Sequence, residues 1–280
     1  MKKYIFIILF ISAFNLVKAQ DELAFKIKYL PNHTYQLSSN MSFDIRTDLS
    51  SNKDMAAKLA SQGITQPIEA NFQYNSSGVS NTGTVKADNT FPLIMNMNAP
   101  AIKGTINGKP IPIPSKTNII KIYGSVSADG KLNVDSLAGQ KLTDSTAVPI
   151  KKMMNSFMGM INFPDHPLKV GESFTQNVPF NVPLGGKSMA INISITYKLT
   201  NVSGNKANFD LTQSMNMQLN LGNIKLSVNG GGAGTMVYDI KNSFPVSMNS
   251  SISLLININS DKINATATAK ISNDSSYVIN

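Results

Sequence analysis

Cysteine is absent from the 280 residues, histidine occurs twice, and charged residues make up only 15% of the chain. Without cysteine no disulfide can brace the fold, so the domain must hold together by core burial. The same absence removes the acceptor for an N-terminal lipid, which would be a cysteine directly after a signal cleavage site. His33 and His166 each stand beside a turn, and two histidines fall short of the ligand set that a zinc site takes. A serine triad has no positioned base here, and no Gly-x-Ser-x-Gly elbow occurs. Asp and Glu total 16 and fall mostly in turns, so no carboxylate pair stands out for glycoside chemistry. No basic run alternates with aromatics, which argues against a nucleic-acid surface. No catalytic, cofactor-binding or metal-binding residue is expected, and the chain is expected to be a non-enzyme.

Long apolar runs are missing too, except at the start. Lys2 and Lys3 precede a largely apolar run over residues 4–14, and Val17-Lys18-Ala19 leads to Gln20. This pattern predicts a secretory signal peptide over residues 1–19, cleaved after Ala19. The run is shorter than the roughly 20 apolar residues of a membrane span, and no later segment is apolar enough to serve as one. The expectation is export to the periplasm, with the extracellular space as the alternative, and no lipid anchor at Gln20. Loss of Lys2, Lys3 and Lys18 with the leader lowers the net charge from +9 to +6. Apart from Lys151-Lys152 the remaining positive charges are scattered, a pattern read as serving solubility, with a general attraction to anionic surfaces as the alternative.

What is abundant is Asn, Ser and Thr, whose short polar side chains compete with a helical backbone. Thr, Ile and Val suit a pleated sheet instead. Apolar residues alternate with polar ones through Ile191, Ile193, Ile195 and Tyr197, and again from Ile263 to Ile271, the mark of strands with one buried face. Further strands are expected over residues 35–45, 68–74, 119–126, 207–221 and 224–228. In residues 252–258 the extra apolar Leu255 is read as a phase slip, and hence a bulge. Asn107-Gly108, Asp129-Gly130, Ser203-Gly204-Asn205 and Ser260-Asp261-Lys262 are placed to close hairpins. Turns this frequent predict antiparallel neighbours, because parallel ones need long crossovers.

Two segments break the pattern. Ser51-Asn52-Lys53-Asp54 reads as a capping box opening a helix to Gln62, stopped by Gly63. After Pro149, Ile150, Met153, Met154, Phe157, Met158 and Ile161 follow at helical spacing until Pro164. That Met-rich stripe is either ordinary core against the sheet or the lining of an apolar ligand cavity, since Met adapts to varied partners. The prolines of residues 109–114 predict an edge or a surface excursion. Leu184-Gly185-Gly186-Lys187-Ser188 ends like a phosphate loop, but Asn181 stands where the first glycine should be, so a hairpin turn is expected. The glycine run over residues 230–234 is read as a flexible connection between strands. Residues 29–35 and 168–174 echo each other faintly: an apolar stretch, a tight turn, then an aromatic opening a strand.

Pro167-Leu168-Lys169-Val170-Gly171-Glu172-Ser173-Phe174, the strand Tyr197-Lys198-Leu199-Thr200-Asn201-Val202, and Gly234-Thr235-Met236-Val237-Tyr238-Asp239 with Phe244-Pro245-Val246 together carry a family likeness. They resemble an uncharacterised (domain-of-unknown-function 6263-like) family of exported β-rich bacterial envelope proteins. Phe174 stands where the family has Trp, and Ser243 or Phe244 where it has Gly. The likeness covers chiefly residues 165–280, implies export and a β-rich fold, and brings no site residues with it.

The expected fold is mainly β: long antiparallel strands in a curved sheet or open barrel with two short helices packed on it. Two tandem β-sandwiches are the alternative. A β half with both helices is expected over residues 20–162 and a second over 163–280, forming one continuous unit. Three functions compete: an envelope protein holding an apolar or amphiphilic ligand between the sheet and the Met-rich helix, a structural or partner-binding β module, and an enzyme whose site the sequence hides. The expected partners are that ligand or another envelope protein, with no nucleic acid.

Overall fold

A computed structural model describes residues 22–49, 53–113, 119–128, 130, 132–138, 161–184, 187–221, 223–260 and 264–280. The alternating segments form thirteen strands: β1 (Thr34–Asp48), β2 (Ile68–Thr82), β3 (Phe91–Met97), β4 (Ala101–Ile106), β5 (Lys109–Pro110), β6 (Ile120–Val126), β7 (Leu132–Ala138), β8 (Ser173–Leu184), β9 (Lys187–Ser203), β10 (Lys206–Leu221), β11 (Ile224–Asp239), β12 (Phe244–Ser260) and β13 (Asn264–Ile279). All pairings between them are antiparallel, in one sheet ordered β7-β6-β3-β2-β1-β13-β12-β11-β10-β9-β8, with β4 on β2 and β5 on β4. Strands from both sides of Asn162 share this sheet, so it is not a pair of sandwiches. It is curved but unclosed, because β7 and β8 end the series and do not pair with each other.

The hairpins follow local turn chemistry. Asn107 (φ 47°) and Gly108 (φ 75°) both adopt the left-handed conformation that a two-residue hairpin turn requires, joining β4 to β5. Ser203 pairs with Lys206 around Gly204, and Leu184 pairs with Lys187. The second pairing closes β8 on β9 as a hairpin, with Gly185 and Gly186 themselves outside the described residues. The helix α1 (Lys53–Ser61) ends as expected: Gly63 N–H donates to the Ala60 carbonyl and Ile64 N–H to the Leu59 carbonyl, both at 2.9 Å. These are the two bonds of a Schellman stop. α1 fully buries none of its residues, and it is the one helix among the described residues. The stripe over Ile150, Met153, Met154, Phe157 and Met158 lies outside them. Ile161, its last member, packs half-buried against the aromatic cluster described below.

Two local expectations need correction. Leu255 marks no bulge: β12 pairs without a break from Ser247 to Asn259 on β13, and Ile252, Leu254, Ile256 and Ile258 stay in one phase. Leu255 is simply an apolar residue on the outer face, 43% exposed. The register shift lies instead where Tyr238 meets Pro245. The glycine run is no flexible connection either, since it lies inside β11. A Cβ on Gly230, Gly232 or Gly234 would run into the backbone of β12, and one on Gly231 into that of β10. Glycine is what lets three strands approach this closely here.

β10 has 16 residues and spans about 50 Å, so one set of strands runs through two chemically different ends. At one end the buried residues are aromatic. Phe25, Tyr197, Leu199, Phe209, Met236 and Tyr238 form one cluster, and Tyr29, Tyr35, Phe91, Leu93, Val126 and Phe244 are central to a second. Phe25 meets Phe209 and Tyr238 edge-on at 5.1 and 5.2 Å, and Phe174 stacks on Tyr197 at 4.9 Å. The segment before β1 closes this end. It pairs with Leu168 through a two-bond bridge at Leu23, and tyrosine hydroxyls hold it down. Tyr238 donates to the Lys26 carbonyl at 2.7 Å, and Tyr35 accepts from Leu30 N–H at 2.7 Å. At the other end Met217, Val228, Leu254 and Ala269 form a smaller aliphatic cluster.

The echo between residues 29–35 and 168–174 has a structural counterpart. Tyr29 and Leu168 are both buried, Asn32 (φ 57°) and Gly171 (φ 96°) both turn left-handed, and the two stretches lead into β1 and β8.

Candidate functional site

The candidate site is the inner face of the sheet beyond the aromatic clusters. Inner positions are the odd residues of β1, β10 and β13 and the even residues of β2, β11 and β12, which lie opposite one another in register. At the aliphatic end they present Ile45, Met215, Leu219, Leu226, Ile252, Ile256 and Ile271, all only partly buried around the four-residue cluster. Ala265, Ala267 and Ala269 on β13 keep the floor low. A fully packed core would bury side chains of this size; here they leave a shallow apolar trough.

Between the aromatic and aliphatic ends the inner face changes character. Ser39 on β1, Asn273 and Ser275 on β13, Ser250 on β12 and Gln213 on β10 occupy inner positions as a polar belt. Ser39 Oγ donates to Asn273 Oδ1 at 3.4 Å, and Ser275 Oγ to the Met248 carbonyl at 3.4 Å. Gln213 Oε1 is buried without a hydrogen-bond partner among the described residues. No inner position of β1, β2, β10, β11, β12 or β13 carries a charged residue. The apolar members of each alternation do not reveal this belt. Counting phase would have found it, as these residues interrupt runs that are otherwise apolar at every second position.

The outer face is the opposite. A groove of about 650 Å³ crosses it, lined among others by Asp44, Arg46, Glu69, Asn71 and Lys270. Its charges largely satisfy one another: Arg46 lies 3.1 Å from Glu69, and Asn71 Nδ2 donates to Asp44 Oδ1 at 2.8 Å. Leu254, Leu255 and Ala269 line this groove as well, beside the paired polar groups.

Titratable groups elsewhere serve the fold. Burial would raise the Asp239 carboxyl, but Lys206 at 2.6 Å and the N–H groups of Asn242 outweigh it and hold Asp239 below the usual carboxylate range. Asp239 thus fastens the turn between β11 and β12. Burial pushes the Tyr197 hydroxyl up to about 12 and raises Tyr29, Tyr35, Tyr238 and Tyr277 as well. His33 Nδ1 contacts the Pro31 carbonyl at 2.7 Å and His166 Nδ1 the Pro167 carbonyl at 3.0 Å, each within its own turn. Among the described residues no three His, Asp or Glu side chains gather as a metal site. No described helix is long and apolar enough to cross a membrane.

Residues 140–245 match a family of unknown function (DUF6263), in agreement with the resemblance carried by Leu168 to Phe174 and Gly234 to Asp239. The matched stretch includes β8 to β11 and the Asp239 turn. No curated protein matches the chain. Among solved structures, Pseudomonas aeruginosa OccK5 (OpdH) is 5% identical with a TM-score of 0.27, over 90% of this chain and 99% of that one. An outer membrane channel from Pseudomonas putida F1 is 8% identical with a TM-score of 0.25, over 94% and 100%. The binding domain of botulinum neurotoxin serotype C1 is 9% identical with a TM-score of 0.13, over 88% and 83%. At these scores the likenesses support no argument about function.

Proposed function

We propose that this chain is an exported, non-enzymatic protein of the cell envelope that holds an apolar or amphiphilic ligand on the aliphatic end of its inner face. The observation that supports the reading is the contrast along that face. The aromatic end is filled and sealed by the segment before β1, whereas Met215, Leu219, Ile252 and Ile256 stay only partly buried. A ligand covering them would recover apolar burial at roughly 25 cal/mol per Å². Ile150, Met153, Met154, Phe157 and Met158 stay candidate ligand-lining residues on sequence grounds and lie outside the described residues, whereas Ile161 packs on the aromatic cluster. Recognition of a partner through strand edges is less well supported. β8, one terminal strand, carries Pro179 and Pro183, which offer no N–H and blunt an edge against further pairing.

The test is titration of the mature chain with the neutral apolar probe N-phenyl-1-naphthylamine. Saturable fluorescence enhancement is expected. Ile256→Asp, which sets a charge in the trough wall, should weaken it at least about tenfold while the far-ultraviolet strand signal persists. Phe157→Ala should weaken it as well. A chain that binds no probe, or binds equally well with Asp at position 256, would reject the carrier reading.

A further inference from the structure

Resting on the trough reading, we infer that the ligand is an uncharged amphiphile whose aliphatic chain carries a hydrogen-bond donor, a hydroxyl or amide N–H, received by Gln213 Oε1. Gln213 stands at the junction of the two ends. Its inner-face neighbours along β10 are Leu211, in the aromatic cluster, and Met215, beside the aliphatic one. Across the strands it faces Ile195 on β9 and Gly232 on β11. Neither offers a side-chain donor, and Oε1 has no other partner among the described residues. A buried acceptor left unmet is costly, and a ligand donor at this depth removes that cost.

The sign of the head group follows from what surrounds the belt. Ser39, Ser250, Asn273 and Gln213 are all neutral, and the inner positions of these strands carry no Lys or Arg. A carboxylate or phosphate at belt depth would lose water without gaining a counter-charge. A hydroxyl or amide meets amide and hydroxyl partners at no such cost. The charged residues Asp44, Arg46 and Lys270 lie on the outer face, at positions alternate to the inner ones.

Three ligands of equal acyl length separate the possibilities when they compete with N-phenyl-1-naphthylamine: monodecanoylglycerol, which has hydroxyl donors, methyl decanoate, which has none, and decanoate, which is charged. The expected order places monodecanoylglycerol about tenfold tighter than methyl decanoate, the value of one satisfied buried acceptor, and decanoate weakest. Gln213→Met, similar in size and without the acceptor, should bring the first two together while leaving methyl decanoate unchanged or tighter. Equal affinity for the first two in the unaltered chain, or a preference for decanoate, overturns the inference and leaves the trough reading standing. A preference that survives in folded Gln213→Met overturns the assignment to Gln213. Failure of all three ligands and of the probe removes the trough reading, and the inference with it.

Discussion

The long strands β10 to β13 and β1 pass through two environments, and the clusters they bury differ: rings dominate one, and the other holds no aromatic residue. At the aromatic end, rings fill the space between strands, and Tyr35 and Tyr238 bond backbone groups of the segment that closes it. At the aliphatic end the inward residues are Met, Leu, Ile and Ala, most of them only partly covered. Aromatic side chains bring large area and, in Tyr, a hydroxyl that bonds at the wet rim, so they build a terminus that is finished by the chain itself. Aliphatic and Met side chains make no directional demand, so they suit a surface whose cover varies. One end secures the fold, and the other is available for binding.

The largest test of that division is a pair of truncations. Phe209 is fully buried, touching Phe25 and Phe163 at ring distances of 5.1 and 5.8 Å. Phe209→Ala should cost about 3–5 kcal/mol. Ile252, partly buried at the aliphatic end, should cost less than about 2 kcal/mol when cut to Ala, because a half-covered side chain loses less burial. Denaturant midpoints of the two variants decide it, and equal losses would break the comparison.

Alkaline pH probes the aromatic end by another route. A tyrosine in the unfolded chain ionises near pH 10, while burial pushes Tyr197 up to about 12 in the folded chain. Between those values the unfolded state has shed its proton and the folded state still holds it, so stability falls as pH rises. For Tyr197 alone the loss is about 2–3 kcal/mol by pH 12, and Tyr29, Tyr35, Tyr238 and Tyr277 shift in the same direction. Tyrosinate absorbance should therefore appear cooperatively with loss of strand signal above pH 10. Gradual ionisation of every tyrosine in a chain that stays folded would contradict the packing of this end.

Much of this fold was legible in the sequence. Period-two alternation located the long strands, and Asn107-Gly108 and Ser203-Gly204 named their own turns, because backbone handedness at those positions is a local property. Gly63 ended α1 for the same reason. The glycines of β11 were misread because a glycine required by close strand approach looks the same in sequence as one required by a loop. Only the neighbours, Ser251 and Asn249 of β12 and Gln213 of β10, tell them apart. The polar belt was hidden for a related reason. Ser39 and Asn273 look like ordinary Ser and Asn until β1 and β13 are set in register and both face inward.

The smallest expected effect sharpens the contrast between faces. Arg46 and Glu69 form an ion pair at 3.1 Å on the outer side of β1 and β2, with side chains 62% and 55% exposed. Water and salt screen such a pair, and holding two long side chains together costs rotamer entropy, so its worth is about 0–1 kcal/mol. Arg46→Ala should shift the denaturant midpoint by no more than that, and the shift should shrink further as ionic strength rises. Probe binding should be unchanged, because Arg46 and the inward-facing Ile45 beside it point to opposite faces of the same strand. If Arg46→Ala weakened the probe while the unfolding midpoint stayed in place, the outer groove would be the binding surface and the trough would not.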